Sequence, residues 1–519
     1  MAIEALLRHT CGVFDTEIRF ILPDDGLAPI VRGLRLLGDE PAATAMGLQI
    51  FDTAACTLAD NGQSATIRPD EDDDGAPMLR ARLDSQLDPV TLQRDWFTAD
   101  ASVDAAHWLH TCLQRRHHPT GLPLAPDDHL ACRASVRIDT RRAVRHLDAD
   151  TRVAIVLERW QTTAPRPGGQ LRWLRLTLLG GSVRLFFDEA SRWQQAFSLM
   201  IDPVLPTISA MRLSLSRRPW PDRLTGSIGR RDPDDPFRSL QAMLGDMVNA
   251  CMALTHGDRR AMRRAAFEHA LLSTRAQLSL MLTPDDKPLI AIANRLRQIH
   301  VSVSAGLHRQ WVRLELRRAG MRRESVGKAL EQAFERADEV DLDIGRLAQA
   351  VQDGVLQVLR WTVDATGADQ GSQRCGDWQS RVARWRESVY AMIESSARAE
   401  QTLALDARAE QRVRLLQELT RLDIITLDPA GDPADPVLHA TVGVLNEWIQ
   451  HDRVRQWLAS RVVDESSGVD SRRSVDRLLI HFTRKAAAAD SRFIDLRSRL
   501  LAQMPVGGHD DQSGRVNVR

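Results

Sequence analysis

The stretch that decides the fold of this chain lies close to its start and reads Asp15-Thr16-Glu17-Ile18-Arg19-Phe20-Ile21-Leu22. Charged and apolar residues alternate along it, which is the pattern of a β-strand with one polar face and one apolar face. Residues 15, 17 and 19 share the polar face. The strand therefore places two carboxylates and a guanidinium on the same side of a sheet.

Short apolar runs separated by turn residues continue from this strand to about residue 215. They predict further strands at 48–53, 65–68, 78–83, 152–159 and 171–179, with a short helix over 28–37. The segment 101–130 is rich in His, Pro and Arg and indicates either an insertion or a helix followed by a loop. We therefore expect residues 1–216 to form one domain that is built mainly of antiparallel strands.

The stretch 217–237 is dense in Pro, Gly and Asp and is predicted to be a linker. Beyond it the hydrophobic period changes to that of helices, which predicts an all-α domain over 238–505. A Gly-rich segment, 364–378, divides this half into two possible bundles, 238–363 and 379–505. The polar end of the chain, 506–519, is predicted to be a disordered tail.

Composition excludes several broad classes of protein. The chain has 519 residues, 43% of them hydrophobic and 27% charged, and a formal net charge of zero. No overall field favours nucleic acid, so no nucleic-acid partner is expected and any anion site must be local. The scattered cysteines form no CxxC pair, the start resembles no signal peptide, and no apolar stretch is long enough for a membrane span, so a cytoplasmic location is expected.

The first strand resembles the opening Glu-x-Glu-x-Lys signature of the CYTH superfamily, the triphosphate tunnel metalloenzymes. Asp15 takes the place of the first Glu, Glu17 matches the second, and Arg19 replaces the Lys. The resemblance implies a closed antiparallel tunnel, a substrate with a triphosphate chain, and Mg²⁺ or Mn²⁺ as cofactor. It marks Asp15 and Glu17 as the metal ligands.

Later stretches follow the order of the same family. Asp52-Thr53 resembles the family's acid-Thr turn, and Arg68 and Arg82 fall where it has strand cations. Gln93 and Asp95 fall near the family's Arg-x-Glu strand, with Gln in place of the Arg and Asp in place of the Glu. Arg141 and Glu158 have spacings like those of a later Arg and a strand-ending Asp.

The main departure from the family lies at 173–177, where alternating glutamates are expected. Trp173, Arg175 and Thr177 occupy the positions that should face the lumen. A hard divalent cation needs several oxygen ligands, and Asp15 and Glu17 supply only two. The sequence therefore predicts a degenerate tunnel with weakened or lost triphosphatase activity, and it leaves open whether the chain is an enzyme.

Arginine dominates the remaining polar positions of the predicted tunnel. Forked guanidinium groups in a confined site suit a phosphate chain. We therefore predict an anion site formed by Arg19, Arg68, Arg82 and Arg141, with Arg80 and Arg175 as further candidates.

The helical half resembles, more weakly, the CHAD domain, a helical domain that follows CYTH in some proteins and is associated with polyphosphate. The nearest stretches are 261–275 and 481–485, which carry His269 and His481 beside arginines. The predicted fold class is thus α+β, with an N-terminal antiparallel barrel of the CYTH type and a C-terminal helical bundle of the CHAD type.

Three functions remain open from the sequence. The favoured hypothesis is that the chain binds polyphosphate, or another triphosphate-bearing or phosphate-rich anion, without rapid hydrolysis. The first alternative is an active metal-dependent inorganic triphosphatase with a shifted ligand set. The second is a protein-interaction scaffold without a phosphate ligand. The sequence does not indicate an oligomeric state.

Overall fold

A computed structural model provides the structure of the chain. It describes residues 8–22, 27–35, 43–71, 77–86, 90–100, 102–114, 124, 128–217, 219–221, 235–258, 260–318, 328, 344–366, 369–399, 405–425, 435–462 and 469–503.

The N-terminal part is an antiparallel barrel. Its strands are β1 (Arg8–Ile21), β2 (Ala43–Asp52), β3 (Gln63–Glu71), β4 (Pro77–Gln86), β5 (Thr91–Asp100), β6 (Ala131–His146), β7 (Arg152–Ala164), β8 (Gln170–Gly180) and the two-residue β9 (Met200–Ile201). They hydrogen-bond in the order β5-β4-β3-β2-β6-β7-β8-β1-β9, and β1 also pairs with β5. This last pairing closes an eight-stranded barrel and confirms the predicted tunnel.

Strand β1 closes the barrel because it pairs with two different strands. Its first part lies against β5, where Asp15 is opposite Leu92. Its second part lies against β8, where Glu17 is opposite Thr177 and Arg19 opposite Arg175. Glu17 and Arg19 both line the interior of the barrel, as the predicted alternation of side chains along this strand requires.

The outer face of the barrel is covered by helices. Two of them, α2 (Thr57–Asp60) and α3 (Ala105–Gln114), belong to an apolar cluster with the outward side chains of β2 to β5. On the other side, α4 (Val183–Phe197) contacts β1 and β8. The short α1 (Leu27–Arg35) buries Ile30 and Leu34. Residues on both faces of several strands are therefore removed from water.

Helix α5 (Pro206–Ser214) lies at one end of the barrel. It contacts β3 as well as β6, β7 and β8, so it touches strands that are not neighbours in the sheet. Leu205, Pro206 and Thr207, at its N-terminal end, line the interior. The interior consequently has a floor that is formed by the first turn of a helix.

Long helices follow: α6 (Pro236–Thr255), α7 (Ala261–Met281), α8 (Lys287–Arg318) and α9 (Ile344–Thr366). The first compact unit comprises Met1–Leu307, Ala337–Trp378 and Pro429–Gly431, and so includes the barrel. Within it α9 packs against α4 and α6, and the buried Gln352 accepts a hydrogen bond from the backbone N–H of Ile201 at 2.9 Å.

The second compact unit comprises His308–Arg336, Gln379–Asp428 and Asp432–Arg519. Its described residues come mainly from the end of α8, from the larger part of α10 (Asp369–Ala399) that follows Trp378, and from α11 (Leu405–Ile425), α12 (Pro436–Val462) and α13 (Val469–Ala502). One apolar core includes Leu415, Leu445 and Phe493, and another includes Leu458 and Phe482. The predicted helical character of the C-terminal half is confirmed for the described residues.

The Gly-rich segment 364–378, which was predicted to divide this half, is helical where the structure describes it. Helix α9 continues to Thr366, and α10 begins at Asp369 and runs through Gly371 and Gly376. Glycine costs a helix only about 1 kcal/mol per residue, which the rest of a long helix offsets. The predicted domain limits stay predictions. Most of the predicted linker and the whole of the predicted tail lie outside the described residues.

No helix in the described ranges combines the length and the apolar character that a membrane crossing requires.

Candidate functional site

The interior of the barrel holds a cavity of about 140 Å³, which far exceeds the roughly 10–15 Å³ that one water molecule requires. Its wall is strongly charged. Six arginines and three carboxylates line it, namely Arg19, Arg68, Arg80, Arg82, Arg94, Arg175, Glu17, Asp84 and Glu158. These side chains come from alternate positions of their strands, as the two-residue period of β-structure requires.

Glu17 lies at the centre of the charged groups and is only 2% exposed. Its Oε1 accepts from Arg19 Nη1 at 3.0 Å. Its Oε2 accepts from Arg94 Nη2 at 2.6 Å, from Arg175 Nη1 at 3.3 Å and from Thr177 Oγ1 at 3.3 Å. Both oxygens of this carboxylate thus accept from donors of the chain.

These contacts determine the protonation state of Glu17. Burial would raise the pKa of its carboxyl group, but the positive charges of Arg175, Arg94 and Arg19 outweigh burial and hold the pKa well below its ordinary value. Glu17 is therefore ionised throughout the neutral range and cannot act there as a general acid.

Arg94 is the main site residue that the sequence reasoning missed. It donates to Asp15 and to Glu17, so one guanidinium bridges both predicted metal ligands. The family resemblance matched Gln93 and Asp95 to an Arg-x-Glu strand, but the inward residues of β5 are Leu92, Arg94 and Trp96. Gln93 and Asp95 are buried as well, at 4% and 0% exposed, so polarity alone gave no signal for the correct face.

Arg175 bridges the other pair of carboxylates. Its Nη2 lies 2.8 Å from Glu158 Oε1, and its Nη1 lies 3.3 Å from Glu17 Oε2. Burial opposes its charge, but Glu158 and Glu17 raise its pKa above the ordinary arginine value. Trp173, the next inward residue of β8, donates to Asp202 at 2.8 Å. Of the three positions 173, 175 and 177, Arg175 lines the cavity and Thr177 donates to Glu17.

Three arginines lie nearer to solvent. The side chains of Arg68, Arg80 and Arg82 are 30%, 39% and 28% exposed. The first two contact Asp70, at 3.4 and 3.0 Å, and Arg82 contacts Asp84 at 2.8 Å. Because each guanidinium carries five N–H donors, these pairs leave donors available.

Arg82 is influenced both by burial and by the charges around it. Partial burial lowers the pKa of Arg82, Asp84 raises it, and the nearby positive charges of Arg94 and Arg175 lower it again, with a net decrease. Burial is the largest cause of this decrease, and the charges of Arg94 and Arg175 add to it. Arg82 also lies over the ring of Trp96, 5.4 Å from its centroid.

Of the four predicted anion-binding arginines, the structure brings together Arg19, Arg68 and Arg82. Arg141 lies elsewhere, because the inward residues of β6 include Ile138 and Thr140, and Arg141 is on the opposite face of that strand. Its assignment to the lumen came from spacing along the chain, which does not determine the register of a strand.

The predicted metal ligands do not fit a divalent cation. Mg²⁺ requires near-octahedral oxygen coordination, whereas Asp15 and Glu17 already share Arg94. Arg175, a fixed positive charge, lies between Glu17 and Glu158. Among the described residues there is no cluster of three or more His, Cys, Asp or Glu side chains arranged to hold a metal ion.

Comparison with known proteins gives similarity in structure only. No family model matches the chain, and no curated protein matches it. The resemblance of the helical half to CHAD thus finds no support.

Two solved structures are similar to part of the chain. One, provisionally assigned as an adenylate cyclase from Bacillus halodurans, is 13% identical with a TM-score of 0.26, over 38% of this chain and 97% of that one. The other, HpAC1 from Hippeastrum, is provisionally assigned as an adenylyl cyclase with a dominant triphosphatase activity. It is 16% identical with a TM-score of 0.25, over 36% of this chain and 89% of that one. Since identities and TM-scores are low, neither likeness indicates a function for this chain.

Proposed function

We propose that the barrel binds an extended, phosphate-rich anion of the tripolyphosphate or polyphosphate type through arginine, without a divalent metal. The observation that carries this proposal is the lining of one confined cavity by six guanidinium groups. Guanidinium is planar, remains charged at all physiological pH values and binds phosphate oxygens in a bidentate manner.

The charge balance of the cavity supports an anionic ligand. Six lining arginines and three lining carboxylates give 6 − 3 = +3. Two further carboxylates lie close by: Asp15 contacts Arg94, and Asp70 contacts Arg68 and Arg80. Including them lowers the net charge of the site to 6 − 5 = +1. The cavity is therefore positive on either count, although the whole chain is neutral.

The same contacts oppose hydrolysis. Activation of a water molecule for attack on phosphorus requires a metal ion or a general base. Glu17 is occupied by four donors from the chain, and Glu158 is bound by Arg175 and by Trp160 Nε1 at 3.0 Å. Both carboxylates are thus used in holding the wall together. We expect turnover to be weak or absent, which favours binding over the triphosphatase alternative.

The test is calorimetric titration of the full chain with sodium tripolyphosphate in the presence of a chelator. Arg82→Ala should weaken binding about tenfold or more, because a charge-assisted hydrogen bond contributes about 1.5–3 kcal/mol. Arg141→Ala is the matched control, since Arg141 lies on the outward face of the same barrel and should leave binding unchanged.

Two results would contradict the proposal. No binding to the wild type would favour the scaffold hypothesis. Robust Mg²⁺- or Mn²⁺-dependent release of phosphate, abolished in Glu17→Ala, would favour the active triphosphatase.

A further inference from the structure

The floor of the cavity contains polar groups that the ion pairs of the wall do not use. Thr207, in the first turn of α5, lines the cavity and is 2% exposed. Its Oγ1 is buried and has no hydrogen-bond partner. A buried hydroxyl without a partner costs free energy, so such a group in a cavity wall points to a ligand.

The backbone at this position is also suited to an anion. The first hydrogen bond of α5 runs from Ser209 N to Leu205 O, so the N–H groups of Thr207 and Ile208 have no acceptor within the helix. Leu205, the residue before the helix, offers no side-chain cap, and Pro206 has no N–H. The positive end of the helix dipole therefore adjoins the cavity.

A third group belongs to the same cavity. Arg19 is 2% exposed, and its Nε is buried without a hydrogen-bond partner, although its two terminal nitrogens bind Glu17 and Gln86. The backbone carbonyl of Arg19 accepts from Asp202 N at 2.8 Å, which ties β1 to the segment that leads into α5. Unused donors from a strand and from a helix thus belong to one enclosed space.

We propose that the first turn of α5 is a phosphoryl subsite, in which the Thr207 hydroxyl and the N–H groups of Thr207 and Ile208 bind the terminal phosphate of the chain. This inference rests on the proposed function and specifies the orientation of the anion in the cavity. The partly exposed Arg68 and Arg80 bind the outer part of the anion, and its end group lies against α5.

The decisive variant is Thr207→Val, which replaces the hydroxyl with a methyl group of similar size. Ser209→Ala is the matched control, because Ser209 is also buried in the first part of α5 with an unpartnered hydroxyl but does not line the cavity. We expect Thr207→Val to weaken tripolyphosphate binding about tenfold and Ser209→Ala to leave it unchanged. Thr207→Ser, which keeps the hydroxyl, should retain affinity.

Thermal unfolding without ligand separates this role from a structural one. Because the hydroxyl has no partner in the protein, Thr207→Val should unfold at the same temperature as the wild type or higher while binding less tightly. If the valine variant does not fold, Thr207→Ala takes its place.

The two proposals fail in different ways. Wild-type binding that depends on Arg82 but is unaffected by Thr207→Val overturns only the α5 subsite. Equal weakening in Thr207→Val and Ser209→Ala also overturns it, because the effect would then be a general one on the helix. Absence of tripolyphosphate binding to the wild type overturns both.

Discussion

At the scale of single residues, the interior of the barrel depends on Glu17, whose carboxylate accepts from Arg19, Arg94, Arg175 and Thr177. A buried network of carboxylate and guanidinium groups is stable only while every charge has a partner. Removing one partner leaves a buried charge uncompensated, which is strongly destabilising. Glu17 therefore holds in place arginines whose positive charges would otherwise repel one another.

We expect Glu17→Gln to lower the free energy of unfolding by about 3–5 kcal/mol at neutral pH, because three buried or half-buried guanidinium groups lose their shared counter-charge. Urea unfolding followed by circular dichroism measures this change. Asp139→Asn is the control, since Asp139 pairs with Arg137 on the exposed face of β6, where both side chains are about half exposed or more, at 46% and 61%. It should change the stability by less than about 0.5 kcal/mol.

The effect of Glu17→Gln should also depend on pH. The pKa of Glu17 is lower in the folded than in the unfolded chain, so its contribution is fully present above the ordinary carboxyl pKa of about 4.3 and is lost as the pH falls below it. The difference between wild type and variant should narrow below about pH 4.3, by up to about 1.4 kcal/mol per pH unit. A difference that stays constant from pH 7 to pH 3 would show that the charge of Glu17 is not its source.

At the scale of elements, the turn between β8 and α4 determines how the helix is placed on the barrel. Gly181 there has φ of +93°, and a Cβ would lie 2.4 Å from Thr151 Cα and 2.7 Å from the carbonyl oxygen of Asp150. The next residue, Ser182, donates its N–H to Thr151 Oγ1 at 2.9 Å and caps α4. Backbone conformation and close packing therefore both require glycine at this turn.

We expect Gly181→Ala to destabilise the chain by more than about 3 kcal/mol, because a strained φ is combined with a backbone clash that cannot relax by a change of rotamer. Gly168→Ala is the matched control. Gly168 has φ of +107° but open space around it, so strain alone should cost about 1–2 kcal/mol. Equal losses in the two variants, measured by urea unfolding, would show that the contact with Thr151 is unimportant.

At the scale of the whole molecule, a formal net charge of zero and a positive cavity imply that anion binding is local. The proposed function requires a ligand that fits an enclosed space as well as one that carries negative charge. The inner arginines line that enclosed space, so a short phosphate chain suits the proposal better than a nucleic-acid duplex. The chain as a whole has no net charge that would attract a duplex.

We expect tripolyphosphate affinity to fall about tenfold or more between about 50 mM and about 500 mM NaCl, because salt screens the half-exposed Arg68, Arg80 and Arg82. The salt dependence should be shallower in Arg82→Ala. A 20-base-pair duplex should show no retention in a gel at about 150 mM NaCl. Retention of the duplex that survives Arg82→Ala would instead indicate a separate basic surface.

Much of the barrel could be predicted from the local sequence. Alternation in the first strand placed Glu17 and Arg19 on one face, and the resemblance to the strands of the CYTH family implied lumen positions for Arg68, Arg82 and Arg175, all of which line the cavity. The first assignment holds because the side-chain direction of a strand follows from the chain itself once the strand is recognised. The change to a helical period likewise predicted the secondary structure of the C-terminal half.

What only the tertiary structure decided is which polar residues share the cavity. Both faces of β5 are buried, so polarity could not show that Arg94 faces inward and Gln93 outward. The placement of Arg141 depends on the register of β6, and the floor of the cavity depends on a helix that reaches β3 from a segment about 140 residues later in the chain. Register and closure arise from hydrogen bonds between distant strands and from packing, and a local pattern of residue types carries neither.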